Sequence, residues 1–558
     1  MKFRKIIVLM IVSAAIFALF TSCAGDGGAA PAAPAPQQGA ADGPAQAGDG
    51  EPEGTVPGTG GLVNAAGFPI VNENITVNIM TMMTPLQVEW NDMMIWEVYE
   101  EMTGITVNFE SVPSEFVSER RNLIMAAGGD LPDAFMGMGF PAAEVSRFGA
   151  QGLLIPLGDL MESLAPAFVY QMNRFPSIRA GLTMPDGNIY SFTYVLGAGA
   201  VTQGAYMFFN GEVLDILGMD VPETMEEFRE FLRRSIEVNF NGQNNSIGFA
   251  TSDVRALDRL FGPFFGLYNR GGAHNLVDID QDGNIRFQPT SQNYKDMLMF
   301  LNSLYEEGLL DPEIYMQDNM TNLIAMGEQG RLMSFQFINA AIIGARYGDM
   351  MRGMTVPLTY PSMGYTERRW AQSPPFGGHV FVISHTSNYP EALVRWVDYF
   401  YTPEGNRMFF MGFEGITWEY DEYGRPQYND YVLNHPDGIM FEQVLGAYVP
   451  WAGGGNPSIA DDAYFRGGEM QPITMATAEA FYPYRLPHIW PSFMWPAEVA
   501  DDMAAISTDI TTYLNENRAL FITSRRSFDE WDDFVRGFDA LRLERFMEIY
   551  AQMIPYFE

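Results

Sequence analysis

A chain of 558 residues, 47% apolar and 14% aromatic, has ample material for two large domains or a discontinuous pair, and wholesale disorder is excluded. Its 69 acidic against 32 basic residues leave a net charge of -37, a field that repels phosphate backbones and anionic membrane surfaces and argues against nucleic acid as a partner. Neutral ligands are compatible with it.

Lys2, Arg4 and Lys5 precede the apolar run Ile6–Phe20, which ends in Thr21-Ser22-Cys23, the layout of a secretory signal over residues 1–22. The run is shorter than the roughly 20 residues of a membrane-spanning helix, and no other segment is long and apolar enough to be one. Cys23 is the only cysteine, so an intramolecular disulfide and a C-x-x-C site are both excluded. Leu19–Cys23 resembles a bacterial lipobox, with Phe20 where Leu is usual. On that reading Cys23 is lipidated and holds the protein on the extracellular face of the cytoplasmic membrane through lipid alone; the alternative is an ordinary signal peptide with an incidental cysteine. Residues 24–61 are almost entirely Ala, Gly, Pro, Gln, Asp and Glu, with Val56 the only large aliphatic residue, so residues 23–61 are expected to be a lipid-bearing, disordered tether. Its reach as a coil is about 35 Å.

Beyond residue 70, strand and helix patterns alternate. Ile75–Met80 reads as a strand, Glu89–Met102 as a helix stopped by Gly104, Ile105–Glu110 as a second strand, and Ser114–Ala127 as a helix closed by Gly128-Gly129. Asp130–Met136 turns into a third strand. Such βαβ units predict an α/β fold on an open parallel sheet, with its ligand crevice at the carboxyl ends of the strands. Thr224 with Glu227 forms a capping box ahead of Phe228, Phe231 and Leu232. Pro390 opens a helix whose Ala392, Leu393, Trp396, Val397 and Phe400 recur at helical spacing, which assigns Trp396 to the core. Met503–Leu520 and Arg536–Met553 read as amphipathic helices.

Common catalytic and nucleotide-binding signatures are missing: G-x-S-x-G, H-E-x-x-H, G-x-x-x-x-G-K-[ST] and G-x-G-x-x-G do not occur. The five histidines (His274, His379, His385, His435, His488) have no metal-pair spacing and read as structural. Asp278, Asp280 and Asp282 begin a calcium-loop pattern, but its twelfth position is Pro289 where a Glu is needed, so an acidic hairpin turn is expected in place of a metal site. No cofactor is expected, with calcium at Asp278, Asp280 and Asp282 as the alternative.

In their order, Asp130-Leu-Pro-Asp-Ala134, Gly152–Leu160, Pro185–Tyr190, Phe209–Gly218, Pro390–Gly405, Gly412–Tyr420 and Trp531–Val535 resemble the extracellular solute-binding proteins of ATP-binding-cassette sugar importers. The likeness is to the large lipoprotein branch of Gram-positive bacteria, and it covers the chain from about Ile75 onward. The resemblance implies a two-lobed, periplasmic-binding-protein-like (type II) fold with a helical C-terminal region. Its first lobe would hold residues 72–197 and 376–402, its second residues 204–370 and 413–558. Crossings are expected near Leu196–Gln203, Ser373–Gly378 and Pro403–Gly412. Some alginate-binding relatives hold calcium after the capped helix; here that stretch is Asn239–Ser246, which lacks every carboxylate. The implied function is capture of a carbohydrate by a monomer that closes its lobes and delivers the cargo to permease subunits, without enzymatic chemistry. A secreted carbohydrate hydrolase or lyase, or a sensor for a membrane kinase, are the alternatives.

A sugar presents flat C–H faces and a rim of hydroxyls, so its site needs aromatic platforms beside polar side chains. Trp90, Tyr206, Phe337, Trp370, Trp418, Trp451, Trp490 and Trp495 fall in or beside loops and are the candidate platforms, with Glu414 and Arg485 as polar partners. Core packing is the competing role for every one of these aromatics.

Overall fold

The computed structural model describes residues 54–553 except 198–201, 203–205, 253–255, 269, 272–273, 280–283, 316–318, 440, 451–454, 462–470, 487–488 and 491–494. Its strands, in chain order, are β1 (Ile75–Met83), β2 (Ile105–Pro113), β3 (Ala134–Phe140), β4 (Ser191–Leu196), β5 (Tyr206–Asn210), β6 (Ile247–Thr251), β7 (Val277–Ile279), β8 (Ile285–Phe287), β9 (Leu332–Phe337), β10 (Met351–Gly353), β11 (Phe376–Ile383), β12 (Trp418–Tyr420), β13 (Pro426–Tyr428) and β14 (Ile459–Ala460). They form two main sheets. The first has the order β14-β4-β11-β3-β1-β2, with β1 parallel to β2 and β3, and β11 antiparallel to β3 and β4. The second has the order β10-β5-β9-β6. Apolar side chains cover both faces of each sheet, so the α/β, two-lobed reading of the sequence holds.

Local signals formed the expected elements. Thr224 accepts from the Glu227 amide while the Glu227 carboxylate reaches back to the Thr224 amide, completing the capping box of helix Met225–Ser235. Trp396, on helix Pro390–Asp398, is buried at 1% exposure.

Two expected boundaries are corrected. The body begins before Gly61: Val56 packs against the first core and its amide donates to Val63 O at 2.8 Å. Arg395 clamps this strap by donating to Asn64 O (2.6 Å) and Gly67 O (2.8 Å). The third crossing is not at Pro403–Gly412. Pro403 is the first residue of helix Pro403–Met411, capped by Thr402, and Met408, Phe409, Phe410 and Met411 bury in the first core. Trp418, Tyr428, Val432, Leu445 and Val449 follow into the same core, and β14 joins the first sheet. Of the stretch 413–558, the part up to Ala460 therefore packs with the first sheet, and the helices from Pro472 onward pack with the second. Likewise Phe376, Gly377 and Gly378 belong to β11, which confines the second crossing to the residues before Phe376.

Asp398 is a further consequence of that packing. Its carboxylate is buried and accepts the Ala167 and Phe168 amides (3.3 and 2.8 Å) at the start of helix Pro166–Arg174. Burial raises its pKa to about 7, against the opposing pull of those two amides and Arg395. A carboxyl whose folded pKa lies above its unfolded value stabilises the fold fully below about pH 4, and that contribution is lost as pH rises towards 7. Melting temperatures of the protein and of Asp398→Asn, measured from pH 4 to 7.5, are expected to converge on a smaller gap, or cross in favour of the variant, as pH rises; parallel curves would refute the assignment.

Candidate functional site

The carboxyl ends of β1, β2 and β3 open onto a pocket of about 450 Å³, lined by Met82, Ser114, Arg121, Gly137–Pro141, Gly377–Val380 and Gly455 among others. This is where an open parallel sheet places its crevice. The pocket is backed by glycine because side chains would not fit: a Cβ on Gly137 would meet Asn456 Oδ1 at 2.5 Å, and one on Gly377 would meet Tyr194 O at 2.5 Å. Gly139 and Gly378 adopt φ of +61° and +94°.

Arg121 comes from helix Val117–Ala127 and is 5% exposed. Its guanidinium donates to Met138 O (2.8 Å) and Gly139 O (2.7 Å), pairs with Glu144 (3.0 Å), and lies 5.3 Å from the centre of the Phe140 ring. His379 sits where the register of β11 shifts, with Nδ1 2.7 Å from Ser191 Oγ. Burial lowers its pKa to about 4, so it is neutral at physiological pH. Its Nε2 is buried without a protein partner among the described residues.

The second sheet presents an aromatic wall. Tyr206 opens β5 opposite Phe337, which closes β9. Phe481 packs edge-on against both Tyr206 (5.9 Å) and Trp370 (4.8 Å). Trp370 pairs through its backbone with the 484–486 stretch, its amide donating to Tyr484 O at 2.7 Å and its carbonyl accepting from Leu486 at 3.0 Å. The Arg485 guanidinium then lies 3.9 Å from the centre of the Tyr482 ring, which is 41% exposed. Thr251 and Gln336, at the ends of the parallel strands β6 and β9, hydrogen-bond at 2.5 Å beside this wall. Burial raises the Tyr206 hydroxyl pKa, keeping it protonated. Both walls border the crossings: β4 ends at Leu196, β5 begins at Tyr206, and Ser373 donates to Thr202 O at 2.5 Å.

Of the expected ligand contacts, the structure brings Tyr206, Phe337, Trp370 and Arg485 together. Four other aromatics are core or core-edge residues. Trp90 stacks on Trp96 at 5.7 Å, Trp418 donates to Gly412 O at 3.3 Å beneath the first core, Trp490 packs edge-on to His274, and Trp495 lies against Tyr550. Trp90, Trp418 and Trp490 are each 3% exposed or less, so they offer no open face in this structure, and Tyr206 and Trp370, buried to the same degree, support the wall from behind. Glu414 is exposed and forms an isolated bridge with Trp418. Trp451 and Cys23 lie outside the described residues.

The calcium candidate is corrected for Asp278. Its carboxylate is fully buried and taken by two guanidiniums, Arg270 at 2.7 Å and Arg286 at 2.9 Å, which leaves no oxygen for a cation. Asp280 and Asp282 lie outside the described residues. In the Asn239–Ser246 turn, amide side chains bond to the loop itself, Asn239 Oδ1 accepting from the Asn244 amide at 2.6 Å and Asn241 Oδ1 from the Gln243 amide at 3.0 Å. Arg121, His379 and Tyr482 were missed by sequence reasoning; the glycines interrupting two apolar strands, Gly-Met-Gly and Gly-Gly-His, were the available signal.

Residues 84–407 match the family model for bacterial extracellular solute-binding proteins. The fructooligosaccharide ABC transporter substrate-binding protein FusA of Streptococcus pneumoniae serotype 4 is 24% identical over 506 residues, spanning 86% of this chain and 90% of that protein. A structure of the S. pneumoniae FusA EF-hand mutant with fructo-nystose aligns at a TM-score of 0.71 and 23% identity, covering 86% of this chain and all of that one. The alginate-binding protein AlgQ2 without calcium ion aligns at 0.70 and 18% identity over 86% of this chain and 98% of that one.

Proposed function

The chain belongs to the bacterial extracellular solute-binding proteins, and from that premise we propose that it captures an oligosaccharide outside the cytoplasmic membrane and delivers it to the permease of an ABC transporter. The observation that carries the reading is the pair of walls: a glycine-backed pocket at the carboxyl ends of β1–β3, and the Phe337–Tyr482–Arg485 face of the second sheet, backed by buried Tyr206. Aromatic faces suit sugar C–H planes, while Arg485 suits hydroxyls. The 24% identical relative named for fructooligosaccharides supports a carbohydrate cargo.

The lobes of this reading are the two sheets with their flanking helices, 54–197 with 376–460 and 206–370 with 471–553. They close on ligand about the crossings, and closure is the working stroke. The protein acts as a monomer and performs no chemistry on its cargo. Lipid on Cys23 and the Ala/Gly/Pro-rich tether after it hold the body at the membrane; no helix of the described residues is long and apolar enough to cross one.

A thermal-shift screen of the body against neutral oligosaccharides, sugar acids and peptides tests the reading. One saccharide class is expected to raise the melting temperature by several degrees, since a ligand bound only by the folded state stabilises it. The saccharide should be recovered unchanged. Recovery of shortened saccharide would make the protein an enzyme, and a shift with peptides alone would remove carbohydrate as the cargo.

A further inference from the structure

We propose that Arg121 is a positioning residue for ligand: through its two bonds to the carbonyls of Met138 and Gly139 it fixes the first sheet's wall in the shape that closes on the saccharide. The inference rests on the carbohydrate reading above. A glycine-rich strand end has little of its own to hold it. Gly137 and Gly139 both lie at positive φ, so Gly137–Pro141 departs from regular extended backbone while lining the pocket. Main-chain carbonyls near the end of β3 are satisfied instead by one charged nitrogen, Nη1 of Arg121, from the neighbouring helix.

Three features separate this arrangement from ordinary core packing. The guanidinium is 5% exposed, yet both Nη1 bonds go to backbone oxygens of pocket-lining residues. Its Nε faces Glu144, on the helix that starts immediately after the lining stretch, so one side chain braces the wall on both sides. The Phe140 ring packs at the guanidinium as well, its centre 5.3 Å away. The brace needs donors at two separate nitrogens of one rigid plane, Nη1 on the two carbonyls and Nε at Glu144, which the single ammonium of lysine cannot reproduce.

The test compares Arg121→Lys with Glu144→Gln in the full chain, reading three quantities: saccharide affinity by calorimetry, melting temperature, and amide exchange of Gly137–Phe140. Arg121→Lys is expected to raise Kd about tenfold and to speed exchange in that stretch. Glu144→Gln weakens the ion pair but leaves Nη1 on the carbonyls, so it is expected to lower the melting temperature while changing Kd less than about twofold. Affinity loss that tracks melting temperature across both variants would reduce Arg121 to a stabilising residue and overturn the inference, as would unchanged affinity in Arg121→Lys. If the unaltered protein binds no saccharide, the carbohydrate reading fails by itself. Exchange still decides for Arg121 in that event: unchanged rates in Arg121→Lys overturn its bracing role, and faster rates confined to Gly137–Phe140 uphold it.

Discussion

Trp396→Ala is expected to lower the unfolding free energy of the first-sheet core by about 3–5 kcal/mol, the cost of deleting a large buried aromatic whose site cannot collapse. The ring is 1% exposed and lies in a continuous aromatic array: Trp96 stacks on it at 5.5 Å, Phe400 meets it edge-on at 5.2 Å, and Phe381 of β11 lies at 6.3 Å. Trp96 in turn stacks on Trp90, so the array joins helices Met94–Thr103 and Pro390–Asp398 on one face of the first sheet. These two helices come from segments nearly 300 residues apart, and Tyr99 adds a 2.7 Å hydrogen bond from its hydroxyl to Trp396 O. That hydrogen bond is to the backbone and survives the substitution, so the loss reads packing alone. Urea unfolding followed by intrinsic fluorescence and far-UV circular dichroism would measure it. Multidomain chains commonly unfold in more than one transition, and the change is expected in the one that reports the first core. A loss below about 1 kcal/mol would mean that the array is not what holds the first core together.

How much of this was legible in the sequence follows the range of the interactions. The capping box at Thr224, the stop at Gly104 and the buried stripe containing Trp396 depend on residues within one or two helical turns, and all three formed where the pattern placed them. Whether a tryptophan faces solvent depends on partners far along the chain: Trp90 is enclosed by Trp96 and Phe109, and Trp418 by the first core it was expected to leave. Pro403 and Gly412 carried the composition of a hinge, but a proline is equally at home at the first position of a helix, and the apolar Met408–Met411 run after it settles the matter. Val56 shows the same limit at small scale. One aliphatic residue in a polar stretch orders the chain around it once a core is available to receive it. The pocket was least legible, because its defining residues are glycines selected by close approach to Asn456 and Tyr194, contacts that exist only after folding.

Under the carbohydrate reading, removing the exposed half of the second wall is expected to have the largest effect on function. Arg485→Ala should weaken saccharide binding by about 10- to 100-fold, the equivalent of losing one charged hydrogen bond of about 1.5–3 kcal/mol. Tyr482→Ala should weaken it by about tenfold, through the lost ring face. The two residues act as a unit, since the guanidinium rests 3.9 Å from the ring centre and loses its support when the ring is removed. The double variant should therefore lose less than the sum of the single losses, which is the signature of contact between them. Stability is a clean control here. Tyr482 is 41% exposed, whereas Tyr206, Phe481 and Trp370 beneath it are buried and unaltered, so the melting temperature should move by no more than a degree or two. Calorimetric titration of the three variants with the saccharide that stabilises the unaltered protein decides the matter. Unchanged affinity in Arg485→Ala would place the cargo elsewhere, and additive losses would mean that Tyr482 and Arg485 meet it independently.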